Sequence, residues 1–161
     1  MAQVYLSFGS NLGNRDALIQ TALAALPKAT AGRLLAVSRL YETAPWGVTD
    51  QPPFLNGVAL LDTPLAPPDL LAALKGLEAA AGRQAGPRWG PRPLDLDILL
   101  YDDLQLTTPT LTIPHPRLLD RRFVLQPLAD LWPPDRPLCG APLADHLACV
   151  ADQVVVLSSE L

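Results

Sequence analysis

The sequence has few of the residues that would build a disulfide framework or a zinc centre. Its two cysteines, Cys139 and Cys149, lie ten positions apart, and no CxxC pair occurs. Disulfide-stapled and zinc-binding domains need more cysteines at closer, repeated spacings. We therefore expect two reduced, structural thiols, which suits the reducing environment of the cytoplasm.

The sequence also lacks the signals for export or membrane insertion. The segment MAQVYLSFGSNLGNR has no basic region followed by an apolar run, and no apolar stretch reaches the roughly 20 residues that cross a bilayer. The net charge of −4 argues against a general nucleic-acid or membrane binder. We expect a cytoplasmic protein that acts as a monomer, with neither nucleic acid nor membrane as a partner.

What is present is the composition of one globular domain. The 161 residues are 49% hydrophobic and 17% charged, and the eighteen prolines are spread along the chain. A chain of this length and composition fits a single domain, and no linker or internal repeat divides it. The prediction is one domain over residues 1–161.

The apolar pattern predicts four strands and two helices in the order β-α-β-β-α-β. The strands are expected at residues 4–8, 34–41, 56–61 and 94–101, and the helices at 14–26, ended by Pro27, and at 67–81, ended by Gly82. This order is typical of a ferredoxin-like α+β sandwich, an antiparallel sheet with helices packed on it. The predicted C-terminal extension holds a hairpin near 106–111, a helix at about 122–131 and a proline-rich section.

The sharpest chemical signal is the segment LDLDILL that begins at Leu94. Side chains alternate between the faces of a strand, so Asp95 and Asp97 point the same way, roughly 7 Å apart at ~3.4 Å per residue. The side chains expected on the opposite, core-facing side are Leu94, Leu96, Ile98 and Leu100. Adjacent carboxylates repel unless a cation lies between them, and Mg²⁺ commonly binds one or two carboxylates plus substrate phosphates. The pair indicates a Mg–nucleotide site or, alternatively, an exposed face whose acids pair with arginines.

Basic residues gather around this acidic pair in the sequence. The six arginines of this region are Arg83, Arg88, Arg92, Arg117, Arg121 and Arg122. Such a cluster in an acidic protein suggests a site for one anionic ligand, with solvated surface arginines as the alternative. Trp89 could stack on a base or cover the site, or be half-buried in a surface loop. His115, fixed between two prolines, could donate to a phosphate, carry a proton or only hold structure.

Two other segments suit a flat, polar heterocycle. They are TAPWG at 43–47 and FLN at 54–56. Aromatic rings stack on such a ligand and an amide reads its edge, although ordinary hydrophobic loop packing would look the same. The chain has no GxxxxGK[ST] motif, so an ATP site here would consist of arginines, carboxylates and loops.

Taken together, these segments resemble the 6-hydroxymethyl-7,8-dihydropterin pyrophosphokinase family over most of the chain. The similar motifs are GSNLGN, YETAPWG, FLN, RWGPRPLDLDILLYD and TIPHPRLLDRRFVLQPLADL. The resemblance implies a ferredoxin-like fold and a Mg-dependent enzyme of folate biosynthesis with ATP as co-substrate. It implies transfer of pyrophosphate from ATP to the hydroxymethyl group of the dihydropterin, with AMP as the leaving product.

The resemblance also implies roles for individual residues. Two Mg²⁺ ions would bind Asp95 and Asp97, Asp97 being the nearest candidate for a general base, and Arg83 and Arg92 would act in catalysis. The residues implied in ATP binding are Glu78, Arg88, Trp89, Arg92, Ile98, Leu111, Thr112, His115 and Arg121. The residues implied in pterin binding are Thr43, Ala44, Trp46, Phe54, Asn56, Asp95 and Phe123.

Two other hypotheses remain open at this point. A different metal-dependent phosphotransferase or nucleotidyl enzyme could use the same acidic pair, and a simple kinase would yield ADP instead of AMP. A non-catalytic, ferredoxin-like ligand sensor would have no reason to combine paired acids, an arginine loop and two aromatic clamps.

Overall fold

An antiparallel sheet is the centre of the computed structural model, which describes residues 1–11, 14–43, 53–82 and 93–159. The elements in chain order are β1 (Ala2–Ser10), α1 (Arg15–Thr30), β2 (Arg33–Val37), β3 (Leu40–Thr43), β4 (Phe54–Thr63), α2 (Pro67–Ala80), β5 (Asp95–Tyr101), β6 (Leu106–Thr107), β7 (Thr112–Ile113), a 3₁₀ turn (Leu118–Asp120), α3 (Arg122–Ala129), α4 (Leu143–Cys149) and β8 (Val155–Ser159). The main sheet has the order β5-β1-β4-β3-β8, and β2 also pairs with β4.

This topology confirms the predicted ferredoxin-like α+β sandwich. The first six predicted elements occur in the expected order, and the strands pair antiparallel throughout the main sheet. Helices α1 and α2 pack together on one face, and α3 packs against β3 and β4. The sheet therefore separates two layers of side chains, one under α1 and α2 and one under α3.

Alternation along the strands sends different residues to these two layers. On β1, Val4, Leu6 and Phe8 join the core under α1 and α2, whereas Tyr5 joins the apolar cluster that also contains Leu125 of α3. Helix α1 begins at Asn14, whose side-chain oxygen accepts the Ala17 amide at 3.2 Å, as an N-cap residue should. Both faces of the sheet are thus covered, and each carries its own apolar cluster.

Helix α1 continues past the position where the sequence predicts its end. Pro27 lies inside the helix, which extends to Thr30, so the prediction that Pro27 stops it is wrong. Thr30 Oγ1 donates to the Leu26 carbonyl at 2.7 Å, and Thr63 Oγ1 donates to the Thr30 carbonyl at 2.6 Å. One bond within α1 and one from β4 thus hold the last turn even though a proline removes one helical hydrogen bond.

The strand predicted over residues 34–41 is in fact two strands, β2 and β3, with Ser38 between them. The Ser38 amide donates to the Val58 carbonyl at 2.8 Å, and the Ser38 hydroxyl accepts the Val58 amide at 2.9 Å. The Ser38 hydroxyl therefore takes the place of a main-chain carbonyl as the acceptor of the Val58 amide. Such local competition by a serine hydroxyl divides the strand.

The C-terminal extension contains more regular structure than the sequence predicts. The predicted hairpin is present as β6 and β7, and the predicted helix as α3. The proline-rich section, however, also forms α4, and its last residues form β8, which pairs with β3. Among the described residues, no helix is long and apolar enough to cross a membrane.

Candidate active site

Strand β5 places its two acids on the sheet face that α3 covers. Leu94, Leu96 and Ile98 lie in the core under α1 and α2, so Asp95 and Asp97 project to the other side, as the alternation predicts. The expectation for Leu100 is wrong, because it belongs to the cluster on the α3 side. The pairing register shifts between Tyr5 and Leu6, and this β-bulge at Leu99 reverses the alternation.

Asn56 lies on the same face as the acidic pair, on β4, which is separated from β5 by β1. Gly9 of β1 pairs with Asp95 of β5 on one side and with Asn56 of β4 on the other. Two strand spacings separate the backbones of Asp95 and Asn56, roughly 10 Å. A Cβ added at Gly9 would stand 2.6 Å from Asn56 Oδ1, so the missing side chain leaves room for that amide. The acid and the amide therefore flank an open strip of β1 backbone.

The Asn56 amide is oriented by a neighbouring threonine. Its Nδ2 donates to Thr43 Oγ1 at 2.9 Å, and both residues are buried. Thr43 also pairs with Phe54, which is half-buried two residues before Asn56 on the same face. Since Nδ2 is held by Thr43, the amide oxygen is the group that turns toward Gly9.

His115 and Arg121, both from the segment after β7, face the acids. Arg121 and Asp95 both influence the pKa of His115. Asp97 and Asp95 both influence the pKa of Arg121. The guanidinium of Arg121 lies 5.4 Å from the centre of the Phe123 ring. Arg121 therefore connects the acidic pair with Phe123, the aromatic residue near the start of α3.

The charges at this site change the pKa values of its members. Burial, and next the neighbouring Asp95, raise the pKa of Asp97 to about 6. Burial, and next Arg121, lower the pKa of His115 to about 4. His115 Nδ1 accepts the Arg117 amide at 3.1 Å, so the neutral ring carries its proton on Nε2. His115 is thus a neutral hydrogen-bond donor at pH 7.

Glu78 is buried at the outer edge of β5. Its side chain is 2% exposed, and its Oε2 accepts the Leu96 amide at 2.8 Å. Lys75, one helical turn earlier, lies 3.1 Å from Oε1. Because Leu96 presents its amide outward, alternation also turns the backbone of Ile98 toward this free edge.

The remaining residues predicted for the nucleotide are in the hairpin that follows β5. Thr112 belongs to β7, which contacts β5, and Leu111 is partly buried against the core under α1 and α2. Both main-chain groups of Leu111 bond Thr108: its carbonyl accepts the Thr108 amide at 2.9 Å, and its amide donates to Thr108 Oγ1 at 3.0 Å. The hairpin backbone is therefore fixed next to the edge of β5.

Six predicted site residues fall outside the described parts of the chain. They are Ala44, Trp46, Arg83, Arg88, Trp89 and Arg92. Of the others, those on β3, β4, β5, the segment after β7 and the start of α3 lie around the acidic face, whereas Glu78 of α2 and Leu111 and Thr112 of the hairpin lie at the outer edge of β5. Sequence reasoning missed Gly9 and Lys75. The period-2 pattern of β1 could have placed Gly9 beside the acids, and the i,i+3 spacing on the predicted helix could have indicated the contact of Lys75 with Glu78.

The donor set fits a magnesium ion that is completed by substrate. Within residues 1–11, 14–43, 53–82 and 93–159, no group of three or more His, Cys, Asp or Glu side chains is arranged as a ready metal site. Asp95 nevertheless lies close enough to Asp97 that, after burial, it is the next cause of the raised pKa of Asp97. Two carboxylates plus phosphate oxygens are the ligands that Mg²⁺ commonly takes.

An apolar groove on the opposite layer does not share this chemistry. It has a volume of about 570 Å³ and lies between α1 and α2, bordered by residues such as Leu18, Ala25 and Leu77. None of the described residues that border it belongs to the predicted site. The described part of its lining contains no charged group for a phosphate, so the acidic face remains the candidate site.

Comparison with known proteins gives a consistent family match. Residues 5–133 match the family model described as 7,8-dihydro-6-hydroxymethylpterin-pyrophosphokinase (HPPK). A Pseudomonas aeruginosa protein named 2-amino-4-hydroxy-6-hydroxymethyldihydropteridine pyrophosphokinase is 51% identical over 146 residues, 91% of this chain and 90% of the relative. A protein of the same name from Methylorubrum extorquens is 40% identical over 148 residues, 92% of this chain and 93% of the relative.

Solved structures support the fold. A Plasmodium falciparum HPPK-DHPS crystal structure with pteroate superposes with a TM-score of 0.74 at 15% identity, covering 94% of this chain and 42% of that one. An HPPK-DHPS structure in complex with substrates gives a TM-score of 0.71 at 13% identity, with coverage of 94% and 46%. The chain thus spans less than half of those longer proteins, and the likeness concerns the fold alone.

Proposed function

The chain belongs to the 7,8-dihydro-6-hydroxymethylpterin-pyrophosphokinase family, and from that premise we propose that the face formed by Asp95, Asp97 and Asn56 is its active site. The chain transfers pyrophosphate from ATP to the hydroxymethyl group of 6-hydroxymethyl-7,8-dihydropterin, in folate synthesis. The observation that carries the proposal is the shared face: two acids, the buried Asn56 amide and Arg121 all lie on the side of the sheet under α3.

Asp95 and Asp97 would hold two Mg²⁺ ions, and the enzyme would depend on them. Bound Mg²⁺ would neutralise the charge of the ATP phosphates. The protein's own contribution is to present two carboxylates from one rigid strand, held by pairing with β1 and by the Leu96 side chain in the core. This arrangement fixes the acids before ATP arrives, so little reorganisation is needed on binding.

Positive and neutral donors would bind the phosphates on the opposite side. Arg121 has a planar fork of donors that matches phosphate oxygens, and His115 offers Nε2–H without a charge of its own. Arg83 and Arg92 would complete the catalytic set, with Arg88 and Trp89 also at the nucleotide. The backbone of Ile98 and Thr112 would bind the adenine at the edge of β5. Leu111, whose main-chain groups bond Thr108, would contact the adenine with its side chain, and Glu78 would line the same region.

The pterin would lie over Gly9 beside the Asn56 amide. Phe54 and Phe123 would enclose the ring, and the segment from Thr43 through Ala44 to Trp46 would contact its edge. Thr43 holds the amide donor of Asn56, so Asn56 would offer its oxygen to the ligand's N–H groups. The ring would then point its hydroxymethyl group toward Asp95, which would also touch the pterin.

The reaction forms a bond between the hydroxymethyl oxygen and the β-phosphorus and breaks the bond from that phosphorus to the oxygen bridging the α-phosphate. AMP leaves with this oxygen, and the hydroxyl proton must be accepted. Asp97 is the proposed acceptor, because it is one of the two carboxylates of β5 that face the substrate side, and its motif makes it the nearest candidate. Positioning and charge neutralisation supply the rest, as in phosphoryl transfer generally.

The decisive experiment measures the products and their dependence on metal. The chain is incubated with ATP and 6-hydroxymethyl-7,8-dihydropterin, with Mg²⁺ or with EDTA, and nucleotides are separated by chromatography. We expect AMP and the pterin diphosphate in equal amounts with Mg²⁺, and a rate lower by about 10²-fold or more with EDTA or in Asp97→Asn. The matched control is Asp62→Asn, a buried acid paired with Arg33 at the other end of β4.

Other results would contradict the proposal. ADP as the product would indicate a simple kinase, and an unchanged rate in EDTA or in Asp97→Asn would remove the metal role of the acidic pair.

A single domain over residues 1–161, a monomeric state and a cytoplasmic location also remain predictions.

A further inference from the structure

Glu78 is a buried acid whose carboxylate binds a main-chain amide rather than solvent. It lies in the last turn of α2 with a side chain that is 2% exposed. Its Oε2 accepts the Leu96 amide at 2.8 Å. Hydrogen bonds to a charged acceptor are about twice as strong as neutral ones, so this contact is a firm link between α2 and β5.

The amide that Glu78 binds belongs to the residue between the two acids. Leu96 separates Asp95 from Asp97, and β5 is the outermost strand on its side of the sheet, next to β1. The Leu96 amide points away from β1, and among the described residues no further strand pairs with β5 on that side. Without Glu78 this buried donor would lose its partner, and pairing with β1 alone would restrain the peptide group.

Rotation of that peptide group would move both acids. The Leu96 amide is part of the peptide plane that follows Asp95, and Asp97 comes next along the chain. The Leu96 side chain is anchored in the core at 1% exposure and β5 pairs with β1 on its inner side, so the bond to Glu78 is the restraint on the outer side of the segment. Fixing the amide therefore sets the direction of the carboxylates on either side.

We propose that Glu78 is a positioning residue for the acidic pair: by binding the Leu96 amide it sets the relative direction of Asp95 and Asp97 and thereby the affinity for divalent metal with ATP. The inference rests on the proposed function of that pair in metal binding. Glu78 acts through the backbone of β5 and touches neither metal nor phosphate. It resembles the outer residues that orient metal ligands, whose loss costs about 10- to 100-fold in metal affinity.

The charge of Glu78 is a separate property from its hydrogen bond. Lys75 is 3.1 Å from Oε1 and half-exposed, so it offsets the negative charge on the solvent side. The chain offers two conservative variants that separate the properties. Glu78→Gln keeps an oxygen that can accept the Leu96 amide but removes the charge, whereas Glu78→Asp keeps the charge but is one methylene too short.

The experiment measures Mn²⁺ affinity with and without α,β-methylene-ATP, from the electron paramagnetic resonance signal of free Mn²⁺. KM for each substrate and the thermal unfolding of each variant are recorded alongside. We expect Glu78→Gln to keep the Mn²⁺ affinity within about threefold of wild type and Glu78→Asp to bind Mn²⁺ about 10- to 100-fold more weakly, with and without the nucleotide. A loss that occurs only with the nucleotide would indicate a direct contact of Glu78 with ATP and overturn the positioning role. KM for the pterin should stay within about twofold in Glu78→Gln and rise less than the Mn²⁺ affinity falls in Glu78→Asp, because Asn56 and Thr43 are untouched and only Asp95 reaches the pterin.

Asp62→Asn is the matched control, since it alters a buried acid on the same sheet without contacting β5. It should leave Mn²⁺ affinity unchanged. Wild-type Mn²⁺ affinity in Glu78→Asp would overturn the positioning role, and so would an equal loss in Glu78→Gln, which would assign the effect to charge. Should Glu78→Asp fail to fold, Glu78→Ala replaces it: a loss of about tenfold or more in Glu78→Ala with near-wild-type affinity in Glu78→Gln supports the role, and equal affinity in the two variants overturns it.

Asp97→Asn distinguishes failure of this inference from failure of the proposed function. If Asp97→Asn binds Mn²⁺ as tightly as wild type, the acidic pair does not hold metal and both ideas fail. If Asp97→Asn is defective while Glu78→Asp is normal, only the positioning role of Glu78 is overturned.

Discussion

The Asp97 carboxyl group is in a setting that opposes its ionisation until a cation binds. Burial and the neighbouring Asp95 raise its pKa from the ordinary 3.8 to about 6. The folded state therefore binds this proton more tightly than the unfolded state does. Stability falls as pH rises from about 4 to about 6, and the loss persists at higher pH.

Asp97→Asn should consequently stabilise the metal-free protein at pH 7.5. We expect a gain in the free energy of unfolding of about 1–2 kcal/mol at pH 7.5 and none at pH 4. Urea denaturation in EDTA at the two pH values measures it. A variant that is less stable than wild type at pH 7.5, or that gains equally at both pH values, would show that the folded-state pKa of Asp97 is not raised.

The hydrogen bond from Asn56 to Thr43 gives a second test. Thr43→Val keeps the shape of the side chain but leaves Asn56 Nδ2 without its acceptor. We expect KM for the pterin to rise by about 2- to 12-fold with KM for ATP unchanged, and Thr43→Ser to restore it. Steady-state kinetics with each substrate varied in turn measures both values.

Thr63→Val is the control for this test. Like Thr43, Thr63 is buried and forms a side-chain hydrogen bond, which it donates to the Thr30 carbonyl. It lies on β4, at the end of the strand away from Asn56. It should lower stability without changing either KM. An equal rise in pterin KM in Thr63→Val would assign the effect to general loosening of β4 rather than to the orientation of the amide.

Gly9 provides a steric test of where the pterin lies. Gly9→Ala would place a methyl group 2.6 Å from Asn56 Oδ1, which must move. We expect pterin affinity to fall by about tenfold or more, since a conformational cost near 1.4 kcal/mol has that effect. Calorimetric titration with the pterin measures the affinity. The control is Gly76→Ala, whose added Cβ would have no atom within 4 Å outside the neighbouring backbone of its own helix, and it should bind normally. Normal binding by Gly9→Ala would contradict the placement.

At the scale of elements, β5 shows what the sequence can and cannot predict. The alternation of leucine and aspartate was enough to place both acids on one face, opposite the core. The bulge at Leu99 was not predictable, since it depends on the register with β1. The bond between Glu78 and Leu96 spans 18 residues, so no local pattern indicates it.

Helix α1 and strand β8 show the same limit for the fold. Local propensity predicts that Pro27 ends α1, yet bonds from Thr63 and within the last turn keep Thr30 helical. Strand β8 follows a proline-rich segment and forms because β3 offers a free edge. In both places tertiary contacts override the local signal, whereas the order of the first six elements depends on periodicity and is readable from sequence.

Helix α3 is joined to β3 by Asp130, and this junction should contribute stability rather than catalysis. The Asp130 carboxylate accepts bonds from the Arg39 guanidinium and amide and from the Tyr41 hydroxyl. We expect Asp130→Ala to lower the free energy of unfolding by about 2–3 kcal/mol with both KM values within twofold. Chemical denaturation and kinetics measure these. A large rise in KM at unchanged stability would show instead that Asp130 serves the site.

At the scale of the molecule, the two faces of the sheet have different roles, one structural and one chemical. The layer under α1 and α2 is apolar and supports the strands from behind. The layer under α3 carries Asp95, Asp97, Asn56 and Thr43, with His115 and Arg121 contributed from the chain that leads into α3. Residues separated by up to about half the chain length thus meet only because of the βαββαβ topology.

The central claim is that the two acids of β5 bind the metal that accompanies ATP. Crystals grown with Mn²⁺, α,β-methylene-ATP and the pterin can locate the metal by its anomalous scattering. The account predicts peaks about 2.1 Å from carboxylate oxygens of both Asp95 and Asp97, the distance typical of magnesium, and next to phosphate oxygens. Bound nucleotide with metal peaks elsewhere, and both carboxylates free of metal, would contradict it.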